Sequence, residues 1–281
     1  MVKLYVSIKE AAEYLSESSS PMLDAQLLMC HVLDVDRSYL FMNREIEINE
    51  YTYNKYIQLI EQRKNGKPLQ YITGDQEFMG LPFKVEEGVL IPRCDTETLV
   101  EKVIECLRDK QSPLIADVGC GSGAISVSIA SFIKDAKVFA LDIMDIPLRI
   151  TAENAKLNNV DNRVEVKKSD MLLALEGRVN EFDLIVSNPP YIRSDVISEL
   201  MVEVKDHEPI SALDGGDDGL IFYRNITNQA LPLLKKGGIL AYEIGHDQGV
   251  DVSDIMTKCG YRDVAIIKDL AGLDRVVIGK V

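Results

Sequence analysis

The sequence has few of the residues that build metal sites or disulfide frameworks. Its 281 residues include five cysteines and three histidines, and the cysteines are scattered, with no Cys-x-x-Cys pair. Such usage is typical of reduced thiols and argues against a zinc site. The histidines form no cluster of ligands along the chain either. We therefore expect chemistry that needs no metal.

The sequence also has no long apolar run and no excess of basic residues. No stretch approaches the ~20 apolar residues of a membrane span, and the first residues turn acidic too early for a secretory signal. The net charge is −14, and acidic residues outnumber basic ones both before and after residue 90. Phosphate binding needs clustered Lys and Arg, so we expect no nucleic-acid partner. Without a membrane span or a secretory signal, we also expect a cytoplasmic protein with no membrane partner.

Three regions differ in their pattern. Residues 1–74 are predicted to form a helical domain, since apolar residues recur at spacings of three and four in segments such as "SPMLDAQLLMCHVLDV". Residues 75–95 are predicted to form a β-hairpin linker, because glycine and proline punctuate short β-like runs there. In residues 96–281, short apolar strands alternate with amphipathic helices, which is the rhythm of a parallel α/β sheet.

The end of the chain departs from this rhythm. Two predicted strands, "YRDVAIIKDL" and "DRVVIGKV", are separated only by "AGL". Three residues cannot form a crossover helix, so these strands must pair antiparallel. We expect a doubly wound sheet with a terminal β-hairpin. The segment "KKGG" at residues 235–238 is expected to cap a helix before the fifth strand.

A glycine-rich turn follows the first predicted strand of the sheet, in "DVGCGSGA" at residues 117–124. Its glycines let the backbone turn tightly and admit a ligand against main-chain atoms at a helix start. The predicted cofactor-binding loop consists of Gly119, Cys120, Gly121, Ser122 and Gly123. Asp142 ends the second strand, where its carboxylate can accept hydrogen bonds from both ribose hydroxyls; a plain helix cap is the alternative.

The loop alone does not identify the cofactor, because Gly-x-Gly-x-x-Ala also fits the looser dinucleotide fingerprint. Asp117 discriminates better. An acid two residues before the first glycine repels a pyrophosphate and attracts an ammonium group, directly or through water. S-adenosylmethionine carries an ammonium and a sulfonium and no phosphate, so we favour it over NAD.

The apolar run at residues 185–192, "IVSNPPYI", ends in an asparagine, two prolines and a tyrosine. Pro189 and Pro190 cannot donate backbone hydrogen bonds, so a strand must stop there. This segment could be a turn that merely ends a strand. Its position after the fourth strand, on the carboxyl edge where such sheets bind ligands, favours a functional role.

That role is predicted from the chemistry of nitrogen. An amide or an exocyclic amine is a poor nucleophile because its lone pair is delocalised, and two acceptors aimed at its N–H bonds pull that pair out of conjugation. The side-chain oxygen of Asn188 and the main-chain carbonyl of Pro189 are the predicted acceptors. Pro190 restricts the preceding residue to an extended conformation, and Tyr191 can wall or stack on a flat group.

With these residues in view, the chain resembles the HemK/PrmC family of protein-glutamine methyltransferases, which act on peptide chain release factors. The resemblance covers nearly the whole length. Its segments include "GKPLQYITGDQEFMGLPFKV", "VLIPRCDTETLVE", "DVGCGSGAISVSIA", "SNPPYI" and "GGILAYEIGHDQG". One departure is "IPRCDTE", where the family usually has Pro and Glu at the positions of Cys94 and Asp95.

The resemblance implies a class I methyltransferase fold with a seven-stranded sheet, behind a helical domain that helps to recognise the release factor. It implies that the glycine loop lines S-adenosylmethionine, that Asp142 holds the ribose, and that Asp170 and Met171 border the adenine. Asn188 would touch both cofactor and substrate. The residues implied to receive the glutamine of a Gly-Gly-Gln motif are Asn188, Pro189, Pro190 and Tyr191.

Two other functions remain open from the sequence alone. The first is methyl transfer to a base amine in nucleic acid, since the Asn-Pro-Pro-Tyr motif is shared with such enzymes; the acidic charge disfavours it. The second is an NAD-dependent oxidoreductase, which Asp117 disfavours. A non-enzymatic binding module would leave the Asn-Pro-Pro-Tyr segment unexplained.

Overall fold

The computed structural model describes residues 2–281. The chain divides into two compact units. The first consists of residues 2–74 together with Val202–His207, and the second of Asp75–Met201 together with Glu208–Val281. Within residues 2–281, no helix combines the length and the apolar character that crossing a membrane requires.

The first unit is mainly helical. Its elements before residue 75 are β1 (Val2–Lys3), α1 (Leu4–Tyr14), α2 (Pro21–Leu33), α3 (Arg37–Met42), β2 (Glu47–Ile48), α4 (Glu50–Lys64) and α5 (Leu69–Thr73). Helix α2 begins at a proline, whose fixed φ suits a first helical position. Leu28 and Tyr56 are fully buried in its core. The buried Arg63 and Asp24 form an ion pair of 2.7 Å, so neither charge is buried alone.

The second unit contains a β-hairpin and a seven-stranded sheet. The strands are β3 (Asp75–Phe78), β4 (Leu81–Lys84), β5 (Leu114–Val118), β6 (Lys137–Asp142), β7 (Val164–Lys168), β8 (Phe182–Ser187), β9 (Leu234–Glu243), β10 (Arg262–Lys268) and β11 (Asp274–Lys280). The helices after residue 75 are α6 (Cys94–Leu107), α7 (Ala124–Phe132), α8 (Asp145–Leu157), α9 (Val202–Lys205, in the first unit), α10 (Ile221–Ala230) and α11 (Gly249–Cys259).

The strand order of the sheet is β10-β11-β9-β8-β5-β6-β7. Strands β5 to β9 are parallel, whereas β11 pairs antiparallel with both β9 and β10. Buried residues of α6, α7 and α8 cover one face of the sheet, and those of α10 and α11 cover the other. The predicted doubly wound sheet with a terminal antiparallel hairpin is confirmed. The predicted boundaries at residues 74 and 95 stay a prediction.

The expectation for residues 235–238 is wrong. Helix α10 ends at Ala230, and β9 begins at Leu234, so "KKGG" lies inside the strand. Pro232 stops the helix, because it has no N–H and its ring clashes with the preceding turn. The amide of Gly237 then donates to the carbonyl of Val281 at 2.9 Å, which ties the start of β9 to the end of the chain.

The carboxyl ends of four neighbouring strands are level with one another. The residues paired across this row are Leu141 of β6, Val118 of β5, Ser187 of β8 and Tyr242 of β9. The residues that follow them are therefore side by side at one edge of the sheet. This edge holds the candidate site.

Candidate active site

A cavity of about 680 Å³ opens at this edge of the sheet. Its size falls within the ~300–1,000 Å³ of small-molecule sites. The glycine loop, Asp142 and Asn188 all line it. Arg93 lines it as well, and its guanidinium contacts both carboxylate oxygens of the buried Glu208 at 2.7 and 2.6 Å.

The glycine loop joins β5 to α7. Gly119 and Gly121 have φ of +74° and +56°, and a Cβ on either would meet no protein atom within 4 Å. The loop thus turns through a left-handed backbone and leaves open space beside its main chain. Gly123 has φ of +80° and precedes α7, where a Cβ would lie 2.9 Å from Thr151. These glycines bring backbone, rather than side chains, against the cavity.

Asp142 is the last residue of β6, and its carboxylate is fixed by the neighbouring backbone. One oxygen accepts a hydrogen bond from the amide of Gly121 at 3.1 Å, and the other accepts from the amide of Met144 at 2.9 Å. Burial raises the pKa of Asp142, while these hydrogen bonds lower it. A carboxylate has about four acceptor positions, so acceptor capacity remains for the two hydroxyls of a ribose.

Asp117 lies beneath the glycine loop and is fully buried. Its Oδ2 accepts hydrogen bonds from the amide and hydroxyl of Ser126 at 3.1 and 2.5 Å, whereas its Oδ1 is buried without a partner. Burial raises the pKa of Asp117 to about 7, although the hydrogen bonds from Ser126 oppose this. A nearby cation would stabilise the charged carboxylate, but the carboxylate does not line the cavity.

The segment Asn188 to Tyr191 directly follows β8. The Asn188 side-chain amide donates to the hydroxyl of Thr96 in α6 at 3.3 Å. Within residues 2–281, no hydrogen bond from the protein reaches the Asn188 Oδ1 or the carbonyl of Pro189. Both residues line the cavity. The segment therefore offers two uncommitted acceptors to a ligand.

A second loop holds this segment in place. The amide of Gly215 donates to the carbonyl of Ile192 at 2.8 Å. Gln248 donates from its side chain to the carbonyl of Tyr191 at 3.0 Å. A Cβ on Gly219 would lie 2.5 Å from the carbonyl oxygen of Tyr191, so only glycine allows this close approach.

Glu243 is the last residue of β9 and lies at the same edge of the sheet. Its side chain is buried, and its Oε2 has no hydrogen-bond partner. Burial raises the pKa of Glu243 to about 7, whereas hydrogen bonding with Thr96, the positive charge of Arg275 and hydrogen bonding with Asn188 lower it.

The structure brings most of the predicted site residues together around one cavity. Those that line it are Gly119, Cys120, Gly121, Ser122, Asp142, Asp170, Met171, Asn188, Pro189 and Pro190. Three do not line it: Asp117, Gly123 and Tyr191. The ring of Tyr191 packs against the hydrophobic core instead, and burial raises its pKa to about 12. The functional roles of these residues stay predictions.

Sequence reasoning missed three contributors to the site. Thr96 and Arg93 line the cavity, and Glu243 lies behind Asn188. Each lies in a segment that resembles the methyltransferase family, so that resemblance was the available signal. An acid directly after a buried strand, as in "AYEIG", was a second signal for Glu243.

The sheet topology and the site together define a class I S-adenosylmethionine-dependent methyltransferase. A methyltransferase from Pyrococcus furiosus superposes with a TM-score of 0.52 at 21% identity, covering 72% of this chain and 89% of that one. The catalytic domain of hMettl16, solved in complex with a 3′UTR hairpin, superposes with a TM-score of 0.59 at 14% identity, covering 85% of each chain. At such identities these likenesses show the fold alone.

The sequence comparisons identify the family. The PrmC N-terminal domain family matches residues 7–74, and the methyltransferase small domain family matches residues 93–205. A release factor glutamine methyltransferase of Clostridium botulinum is 49% identical, covering 92% of this chain and 91% of that one. That of Clostridium acetobutylicum is 45% identical, covering 99% and 96%. This chain belongs to the release factor glutamine methyltransferase family.

S-adenosylmethionine is the methyl donor of this family, and the residues present fit it. The loop leaves open space for it, and the carboxylate of Asp142 has capacity for ribose hydroxyls. The prediction of this cofactor over NAD is confirmed.

Replacing Asp142 by alanine should weaken binding of S-adenosylhomocysteine roughly 10- to 100-fold, as expected from losing a charge-assisted hydrogen bond. Titration calorimetry measures it. Asp161→Ala removes the same charge at an exposed position away from the cavity and serves as the control. Equal affinities for the two variants would contradict a ribose-binding role.

Replacing Gly219 by alanine should disturb the segment after β8, and Gly216→Ala is a matched control in the same loop. Both positions have left-handed backbones, with φ of +71° and +86°, so each variant should lose about 1–2 kcal/mol of stability. Only at Gly219 does the new Cβ meet the backbone; at Gly216 the nearest atom is 3.4 Å away.

Gly219→Ala should therefore lose about 1–3 kcal/mol more, and its kcat should fall further than that of the control. Chemical denaturation and turnover at saturating cofactor measure the two effects. Identical behaviour of the two variants would show that the close approach to Tyr191 is unimportant.

Proposed function

We propose that this protein transfers the methyl group of S-adenosylmethionine to the side-chain amide nitrogen of the glutamine in the Gly-Gly-Gln motif of peptide chain release factors. The pair of uncommitted acceptors, on Asn188 and Pro189, is the observation that carries this proposal. A primary amide has two N–H bonds, and two acceptors are what is needed to hold both. The family to which the chain belongs supplies the identity of the amide.

In this proposal, Asn188 Oδ1 and the Pro189 carbonyl accept the two N–H bonds of the glutamine amide. Holding both bonds fixes the orientation of the nitrogen and draws its lone pair out of conjugation with the carbonyl. S-adenosylmethionine supplies an electrophilic methyl group. The S–CH₃ bond breaks as the N–C bond forms, and S-adenosylhomocysteine is the leaving group. The amide proton becomes acidic only at this point, so it needs no base before attack and is then released to water.

The remaining residues position these groups. Asp142 holds the ribose of the cofactor, and the loop Gly119–Gly123 holds its amino-acid portion against the backbone. Asp170 and Met171 border the adenine. Pro190 fixes the direction of the Pro189 carbonyl, since it confines that residue to an extended conformation. Preorganised acceptors of this kind favour the transition state without reorganisation during the reaction.

We also propose that the helical residues 1–74 recognise the release factor, with residues 75–95 as the linker and 96–281 as the methyltransferase domain. Contacts far from the reacting amide can supply the binding energy that orients it. A translation factor is met in the cytoplasm, which is therefore the proposed location. Nucleic acid is not the proposed acceptor, since the net charge is −14.

Replacing Asn188 by alanine should lower kcat by about 10²–10³-fold while cofactor affinity stays within a few-fold, because one aimed acceptor is lost. Methyl transfer from labelled S-adenosylmethionine to a purified release factor measures it. Changing the glutamine of the Gly-Gly-Gln motif in that release factor should abolish the signal.

DNA and RNA should accept no label above background in the same assay. Label in nucleic acid that declines with added salt would overturn the proposal in favour of a base-amine methyltransferase. If Asn188→Ala turned over at the wild-type rate, the segment Asn188 to Tyr191 would have no role in binding the acceptor amide.

Removing residues 1–74 should raise the KM for the full release factor at least about 10-fold, because remote contacts would be lost. A short peptide that contains Gly-Gly-Gln should be methylated equally by both forms, and it controls for damage to the methyltransferase domain. An unchanged KM for the full release factor would refute the recognition role.

A further inference from the structure

Glu243 is a buried acid for which the proposed mechanism has no use. The pairing of Ser187 with Tyr242 puts Glu243, the last residue of β9, beside Asn188, the first residue after β8. Only 2% of Glu243 is exposed, and it does not line the cavity. It therefore lies behind Asn188 as seen from the cavity. A buried carboxylate is costly unless hydrogen bonds or charges compensate for it, so its presence calls for a reason.

The side chains that face Glu243 come from several elements. The Asn188 side-chain amide donates to the hydroxyl of Thr96 on α6 at 3.3 Å, and both side chains lower the pKa of Glu243 and so favour its charged form. Arg275 on β11 is the nearest cation, but its guanidinium already contacts Asp95 and Asp269 at 3.1 Å each. The Glu243 carboxylate is thus not the main partner of Arg275, and its Oε2 has no hydrogen-bond partner.

Glu243 can decide which end of the Asn188 side-chain amide faces the cavity. The two ends of an asparagine amide have nearly the same shape, so only their hydrogen-bond partners decide which end faces which way. The hydroxyl of Thr96, which lines the cavity, lies 3.3 Å from Nδ2, and the Glu243 carboxylate lies behind Asn188. In its charged form Glu243 accepts hydrogen bonds and cannot donate them, so this form selects the NH₂ end of the amide, whereas the protonated form has a donor and does not select it.

We propose that Glu243 is a positioning residue for Asn188: its carboxylate, together with the Thr96 hydroxyl, holds the Nδ2 end of the amide inward so that Oδ1 faces the acceptor amide in the cavity. This inference rests on the proposed role of Asn188 in binding the substrate. Without Glu243, the amide flips in part of the population and presents a donor to the substrate N–H bonds. Turnover then falls, while cofactor binding does not change.

Glu243→Gln keeps the size of the side chain but replaces two acceptor oxygens with one acceptor and one donor. Like asparagine, the glutamine can then present either end to its neighbour. Its kcat for methylation of a release factor should fall roughly 10- to 100-fold, as expected from losing a hydrogen bond to a charged group. The affinity for S-adenosylhomocysteine and the KM for the release factor should stay within about twofold. Titration with S-adenosylhomocysteine measures the concentration of folded protein that can bind the cofactor. The rate is divided by this concentration, so kcat excludes misfolded protein.

The sharper test combines this change with Asn188→Asp. Aspartate beside Glu243 forms a pair of buried like charges, which forces a proton onto one of them; when aspartate carries it, the oxygen that faces the cavity is a donor in part of the population. In that background Glu243→Gln should raise kcat about 10-fold, because the glutamine donates to the inner oxygen and leaves the outer oxygen as an acceptor. The same substitution therefore lowers activity in one background and raises it in the other.

A purely structural role of Glu243 would lower kcat in both backgrounds by the same factor, and that result overturns the inference. An unchanged kcat of Glu243→Gln in the otherwise native protein also overturns it. Failure of the proposed function is distinguished separately, because the native protein would then transfer no label to the release factor. A loss of turnover in Asn188→Ala together with an inert Glu243→Gln rejects the positioning role alone.

Discussion

Four parallel strands end on one row of the sheet, and the groups proposed here for chemistry follow that row. The residues directly after or at these ends are Asp142, Gly119, Asn188 and Glu243. Neighbouring strands lie about 4.8 Å apart, so the row spaces its functional groups at regular intervals. A slip of one residue in the pairing of any of these strands would turn the side chain at its end to the other face of the sheet. The register therefore fixes both cofactor-binding and acceptor-binding groups at once.

The same edge concentrates buried acids. Asp117 and Glu243 each have one buried carboxylate oxygen without a partner, and burial raises both pKa values to about 7. Burial of unpaired carboxylates opposes folding, which explains why such groups are rare outside functional sites. A cation bound in the cavity would favour the charged forms of both acids only from a distance, since neither lines the cavity. The acidic edge is consistent with a cationic cofactor and unsuited to a phosphate-bearing one.

Local features of this site could be predicted from sequence, whereas side-chain directions could not. The glycine loop and the Asn-Pro-Pro-Tyr segment are short, contiguous and constrained by their own backbone chemistry. Tyr191, expected to wall the substrate, packs against the core instead, and Asp117 lies beneath the loop rather than on the cavity. The direction of the Tyr191 ring depends on the core residues that pack against it, and that of the Asp117 carboxylate depends on Ser126. These neighbours are distant in sequence or belong to another element.

The sequence by itself determined the alternation of strands and helices, the antiparallel terminal hairpin, and the kinds of residue at each strand end. Those features follow from periodicity, loop length and backbone restrictions, which act over a few residues. Only the tertiary structure decided the strand order. That order makes Asn188 and Glu243 neighbours, and the packing of α6 brings Thr96 to Asn188. The tertiary structure also placed "KKGG" in β9, since Pro232 ended α10 early and pairing with the chain end was then favourable. Strand order depends on how helices pack on both faces of the sheet, and that packing is non-local.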